Sequence, residues 1–202
     1  MATKRDTYHH GDLRAALIDA GITLARTGGP QAVVLREVTR IVGVAPNSAY
    51  GHFATLTALK SAVAERARVD MAVAMGAELE AAEPLAYLRA VGRAYVRYAL
   101  TEPGLFRTAM GGDPTGLRSP AEFTAAEEQL KPRHHLVAAL AGLVEAGHLP
   151  PDKTGKAALA CWATVHGLSI MLLDLLPQMG PAEQDAAVDD ALDVLLAGLA
   201  SL

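Results

Sequence analysis

Residues 33–60, VVLREVTRIVGVAPNSAYGHFATLTALK, constrain the fold more than any other stretch. Val34, Leu35, Val38 and Ile41 recur at helical spacing, which gives a first helix one apolar face. Gly43 follows, and helices commonly stop at a glycine that takes the left-handed conformation. Val44 is placed to plug the turn. Pro46 suits the first position of a second helix, where a missing N–H removes nothing. That second helix, Pro46 to about Phe53, carries Asn47, Ser48, Tyr50 and His52. Their side chains can hydrogen-bond to phosphates or base edges. Helix, glycine turn and short polar helix form the helix-turn-helix pattern, whose second helix enters the major groove of DNA.

With 202 residues, the chain can form one large or two small domains around a substantial core. It is 51% hydrophobic but only 4% aromatic, a mix that favours helix bundles over a β-sandwich. No run of about 18 uncharged apolar residues appears, so a membrane span is not expected. The opening MATKRDTYHHGDLR lacks the apolar core of a signal peptide, and a cytoplasmic location is expected. The single cysteine, Cys161, excludes an intramolecular disulfide and sits in an apolar run that suggests burial. Net charge is −4, unevenly divided. Residues 1–70 hold nine Lys or Arg against six Asp or Glu, a net of +3; the rest hold nine against sixteen, a net of −7. Only the N-terminal third has the sign needed to approach nucleic acid.

Lys4 and Arg5 lie in a polar arm that could order on a phosphate backbone. Asp12 favours the start of a helix running to about Thr27, with Leu13, Leu17, Ala20, Ile22 and Leu24 inward, ended by Gly28-Gly29-Pro30. The connecting helix is expected over 55–82. Beyond it, Glu83-Pro84 starts a helix ending near Thr101, with Leu85, Leu88, Val91, Tyr95 and Tyr98 inward. Pro103 to Met110 reads as a short helix and 111–116 as a loop. A helix over about 120–146 should be kinked or split at Pro132. Asp152 would cap a long helix through Leu176. A last helix, about Ala182 to Leu199, has Val188, Leu192, Leu195, Leu196 and Leu199 on one face.

YHHGDLRAALIDAG, the Leu-Arg-Glu-Val helix, Gly43-Val44 and Tyr50-Gly51-His52-Phe53 together resemble the DNA-binding domain of the tetracycline-repressor (TetR) family. The likeness covers residues 8 to about 64 without gaps. It implies that Tyr50, His52 and Arg36 contact phosphates and that Phe53 packs the small domain. Four departures from the family pattern stand out. Val34 and Ala45 occupy helix-cap positions usually held by Ser or Thr, and each loss costs about 1 kcal/mol. Leu56 replaces a Lys that pairs with phosphate. Thr39 and Val42 replace small alanines, so the two helices are expected slightly further apart. A second, shorter stretch, Trp162-Ala163-Thr164-Val165-His166-Gly167, is similar to a Trp-x3-His-Gly subgroup of TetR C-terminal domains.

No phosphate loop, nucleophile elbow or paired-cysteine motif is present, so no enzyme and no cofactor are expected. His134 and His135 are adjacent and point about 100° apart on a helix, which argues against a metal site. Trp162 and His166 share a helix face. Six of the nine aromatics fall between Tyr87 and Phe123 or at Trp162. Tyr95, Tyr98, Phe106, Met110, Phe123, Trp162 and His166 are the expected lining of a ligand cavity, which the family resemblance implies and which suits a largely hydrophobic ligand. Leu168, Met171, Leu172 and Leu175, extended by Leu173 and Leu176, predict a two-fold, four-helix dimer interface.

The expectation is therefore an all-α homodimer. Residues 1–54 form the DNA-binding helix-turn-helix domain, helix four (55–82) connects, and 55–202 form the ligand-binding and dimerisation domain. The expected partners are a palindromic operator in double-stranded DNA, a small-molecule effector and a second copy, with no membrane. Lys4, Arg5, Arg36, Asn47, Ser48, Tyr50 and His52 are the expected DNA contacts, Asn47 and Ser48 reading bases. The expected function is a repressor released by its ligand. The alternative is a helical dimer that binds a small molecule or partner without specific DNA recognition.

Overall fold

The computed structural model describes residues 10–80, 83–111 and 131–202. Among the described residues every regular element is helical: α1 (His10–Ala32), α2 (Leu35–Val42), α3 (Pro46–Tyr50), α4 (Leu56–Gly76), α5 (Pro84–Thr101), α6 (Pro103–Met110), α7 (Pro132–Glu145), α8 (Thr154–Ile170) and α9 (Pro181–Leu199). A single 3-10 turn, Pro151–Lys153, leads into α8, and a π turn, Met171–Leu175, follows it. The chain divides into two compact units. One comprises the residues up to Ala67 together with the segment from Gly104; the other comprises Arg68–Pro103 and the C-terminal remainder.

The N-terminal unit closes around Leu17, Val38, Ala49, Leu59 and Val63, all inaccessible to solvent. α1 breaks where the sequence placed its end: Gly29 has φ 65 and ψ −166, a region open almost only to glycine. The short Pro30–Ala32 segment then continues in helical form. α2 stops at Gly43, whose φ of 78 and ψ of 29 are left-handed, and its N–H bonds to the Thr39 carbonyl. Neither Val34 nor Ala45 makes a side-chain cap bond. Thr39 is buried, and its hydroxyl donates to the Leu35 carbonyl at 3.0 Å. The polar atom that replaces an expected small alanine is thus satisfied inside its own helix. α6 lies against α1 so closely that a Cβ on Gly104 would collide with the Ala25 and Arg26 carbonyl oxygens.

In the C-terminal unit α5 is central. It buries Leu88, Val91, Ala94, Tyr95, Val96, Tyr98 and Ala99 and packs on α7, α8 and α9. Leu85, expected to face inward, is exposed at the first turn. Leu192 of α9 seats against Gly92, where a Cβ would lie 2.7 Å from its Cδ2. Arg93 forks onto Asp189, with Nε to Oδ1 at 2.8 Å, and Arg89 bridges Asp189 and Asp193. Of the face expected on the last helix, Val188, Leu192 and Leu199 are buried, whereas Leu195 and Leu196 are half-buried.

Several boundaries differ from expectation. α4 ends at Gly76 rather than near 82. Pro132 is the first residue of α7, a position where its missing N–H is harmless; the expected segment from 120 to 130 and most of the 111–116 loop lie outside the described residues. Asp152 does not cap α8. It sits in the 3-10 turn, and Lys153 precedes the helix without a side-chain cap.

Candidate DNA-binding face and aromatic cluster

α2 and α3 present two opposite surfaces. Val38, Ala49 and Phe53 face the core, and the Arg14 guanidinium lies 5.1 Å above the Phe53 ring. The surface away from the core carries Arg36, Ala45, Pro46, Asn47, Ser48 and Tyr50, all exposed, with Tyr50 54% accessible. His52 is half-buried just beyond the helix. Of the expected DNA contacts on the described residues, Arg36, Asn47, Ser48 and Tyr50 are thus exposed and His52 half-buried; Lys4 and Arg5 lie outside the described residues. Arg40, also exposed, is held by Glu37 at 2.8 Å across one helical turn. Leu56 is exposed at the start of α4, and the Thr55 hydroxyl accepts a hydrogen bond from the Ala58 N–H at 3.0 Å. Thr55 thus caps α4, a role invisible without the helix boundary.

The C-terminal unit brings together three of the seven expected ligand-lining residues. The Tyr95 hydroxyl and His166 Nδ1 are 3.0 Å apart. The Trp162 and His166 rings stack with centroids 5.4 Å apart and 26° between planes. Burial pushes the Tyr95 phenol well above its ordinary range, opposed by a hydrogen bond from the Trp162 side chain. The indole N–H can only donate, whereas the Tyr95 hydroxyl and His166 Nδ1 can each donate to the other, according to the imidazole tautomer. Burial lowers the His166 pKa, which favours the neutral imidazole. The cluster thus offers a stacked aromatic surface beside a phenol–imidazole pair.

Tyr98 is buried on the same helix as Tyr95. Phe106 and Met110 instead belong to the N-terminal unit, Phe106 fully buried and Met110 half-buried. Phe123 lies outside the described residues. Trp162 is not an interior residue: it is 49% accessible. Leu159, Met171, Leu175 and, on α9, Val194 are likewise exposed. Leu172, expected in the dimer face, is buried within its own unit; the π turn rewinds this end, so simple helical spacing misplaces it. By length and composition alone Pro151–Leu175 is apolar enough to cross a membrane, a test that core helices of soluble proteins also pass. Cys161 is buried, its thiol pushed up to about 11.

Sequence reading also missed His135, whose Nε2 lies 2.9 Å from the Ala72 carbonyl and fixes the end of α4 within the C-terminal unit. His134 meets the His135 ring edge-on at 5.9 Å. Among the described residues no group of three or more His, Cys, Asp or Glu could hold a metal ion.

A helix-turn-helix unit joined to an all-helical bundle with a polar-aromatic cluster defines a two-domain transcriptional regulator of the ligand-responsive kind. A family model described as Tetracyclin repressor-like, C-terminal domain, matches residues 88–195. The match covers more than half of the chain, and the chain belongs to the TetR family, whose members are non-enzymatic DNA-binding regulators. Among solved structures, a protein of unknown function from Rhodococcus sp. RHA1 is similar at 26% identity and a TM-score of 0.74, over 97% of this chain and 100% of that one. A TetR variant from Acinetobacter baumannii AYE, in complex with minocycline, is 20% identical with a TM-score of 0.64, over 94% and 95% of the two chains. The multidrug binding protein EbrR, complexed with imidazole, is 22% identical with a TM-score of 0.63, over 96% and 97%. No curated protein sequence matches the chain.

Proposed function

We propose that the protein is a cytoplasmic homodimeric repressor that leaves a palindromic operator when a small, largely hydrophobic ligand binds its C-terminal unit. The observation that carries this reading is the exposed polar surface of α3, backed by buried Ala49 and Phe53. Such a helix is held rigidly by its apolar side and is free to enter a major groove by the other. Arg36, Tyr50 and His52, with Lys4 and Arg5 of the arm, position the phosphate backbone; Asn47 and Ser48 read bases.

Two copies would set their recognition helices roughly 34–36 Å apart, one DNA turn. The exposed apolar residues Leu159, Met171, Leu175 and Val194 support the dimer. The ligand would engage the Tyr95–His166–Trp162 cluster, stacking on Trp162. It would act through α4, which runs on from the helix-turn-helix, and favour a state whose helix spacing fits the operator poorly. The shift can be no larger than the ligand's differential affinity for the two states. That minocycline and imidazole occupy two structural neighbours supports a ring-bearing ligand.

A mobility shift on the DNA upstream of the protein's own gene tests this, run across salt concentrations. A specific shift near physiological salt is expected. Binding that is equal on unrelated DNA and disappears at that salt would favour the alternative, a ligand- or partner-binding helical dimer without specific recognition. The uncapped starts of α2 and α3 are the observation on that side.

A further inference from the structure

The exposed surface of the recognition helix carries a second message, about which bases it reads. From Gly43 to Thr55 the chain has no Lys, Arg, Asp or Glu. What α3 and its leading residue offer outward is one amide (Asn47), one hydroxyl (Ser48), a phenol (Tyr50) and two apolar surfaces (Ala45 and Pro46). The nearest cation on α2's exposed side, Arg40, is tied to Glu37.

In the major groove, guanine shows two acceptors, most often read by the fork of Arg or by Lys, and cytosine shows an amino donor read by Asp or Glu. The recognition helix has none of these four residue types, so a G·C pair meets neither of its usual readers on either strand. Adenine shows an acceptor beside a donor, which an Asn amide matches with two hydrogen bonds; thymine shows a methyl group, which suits apolar contact. Asn47 has Ala45 and Pro46 just before it in the chain, an amide beside apolar surface.

We infer that each operator half-site presents A·T pairs to this helix, with Asn47 bonded to an adenine and Ala45 and Pro46 against thymine methyl groups. The inference rests on the DNA-binding reading above and adds to it the base composition of the site. Within the reach of α3, a G·C pair then finds only the Ser48 hydroxyl, which bonds to either pair, as a reader.

Selection from a random duplex pool with the full-length protein tests it, followed by reselection with Asn47→Arg. The side chain of Asn47 is exposed, and circular dichroism of the variant verifies that the fold is kept. The wild-type pool should yield inverted repeats, and Asn47→Arg should convert one A·T pair per half-site to G·C, marking the position read. Replacing thymine by deoxyuridine next to that position should weaken wild-type binding about fourfold per methyl contacted. Exchanging the marked A·T pair for G·C should weaken it roughly 5- to 150-fold. A wild-type preference for G·C at the marked position, or indifference to loss of the methyl groups, overturns the inference and leaves the regulator reading intact. Failure to enrich any sequence overturns both.

Discussion

Restoring the two missing helix caps should stabilise the N-terminal unit by amounts that differ between the sites. Ala45 (φ −68, ψ 145) and Val34 (φ −118, ψ 140) already have the extended backbone that an N-cap residue adopts. Only the side-chain acceptor is lacking. Ala45 is exposed, so Ala45→Ser adds a hydroxyl and removes nothing, for a gain of about 1 kcal/mol. Val34 is 40% accessible, so its methyl groups are more than half covered. Val34→Thr exchanges one methyl for a hydroxyl. A fully buried methyl is worth about 0.8 kcal/mol, so the covered share offsets about 0.5 of the cap's roughly 1 kcal/mol. The net gain is about 0.5 kcal/mol. Val34→Ser gives up a second methyl and should come out near zero. For a chain of this size about 1 kcal/mol moves Tm by roughly 2–4 °C. Ala45→Ser should therefore raise Tm by that amount, Val34→Thr by about half as much, and the pair additively. Thermal melts followed by circular dichroism read this, at one protein concentration because a dimer's Tm depends on it. An unchanged or lowered Tm for Ala45→Ser, with secondary structure intact, would refute the account of the uncapped helices.

Gly104→Ala should destabilise by about 3 kcal/mol or more, since the added methyl meets backbone carbonyls that cannot turn aside. Gly142→Ala in α7, where a Cβ meets nothing within 4 Å, should instead stabilise by up to about 1 kcal/mol; urea midpoints compare the two. Burial holds the His166 pKa below its ordinary 6.5, so below that pH the unfolded chain takes up a proton that the folded chain resists. The associated stability is present above pH 6.5 and falls as pH drops through 6.5 toward the folded value. His166→Gln should flatten that part of the pH–Tm curve. Arg36→Ala should weaken binding to all operators alike and reduce the log–log salt slope by about one per protomer, read by titration across salt.

The features legible in the sequence were those carried by single residues with one conformational habit. Gly29 breaks α1 and Gly43 ends α2 because their backbone angles suit glycine far better than other residues, and Pro46 and Pro84 open helices because their rings disfavour interior positions. The cap deficits at Val34 and Ala45 were equally plain. The orientation of α8 was not legible. Its residues 157–165 and 167–170 are apolar or small on all sides, so periodicity gives no direction, and Trp162 came out half-exposed rather than enclosed. The π turn after it has no local signature, yet it decides that Leu172 turns inward while Met171 and Leu175 turn outward. The grouping of Phe106 with the N-terminal unit was hidden for another reason. It depends on the close seat of Gly104 on α1, a contact across some eighty residues of chain that no local pattern encodes.

Absent caps and absent recognition-helix cations both lower what one half-site can contribute, and this sets how such a repressor would be released. In a dimer the second half-site engages at high effective concentration, so two modest contributions nearly add. A nanomolar complex corresponds to about −12 kcal/mol; with one half-site out of register, about half remains, a dissociation constant of tens of micromolar. In that reading a ligand need not break the contacts proposed for Asn47 and Tyr50 one by one. It needs only to favour the wrong spacing. Shifting a two-state equilibrium from 1:99 to 99:1 takes a differential affinity of about 5.5 kcal/mol. Stacking on Trp162 and burial of apolar ligand surface would together supply that order of energy, provided they are formed in only one of the two states. The weaker each half-site is, the more completely a change of spacing silences the pair, so a neutral recognition helix favours tight control by spacing over control by affinity at either half.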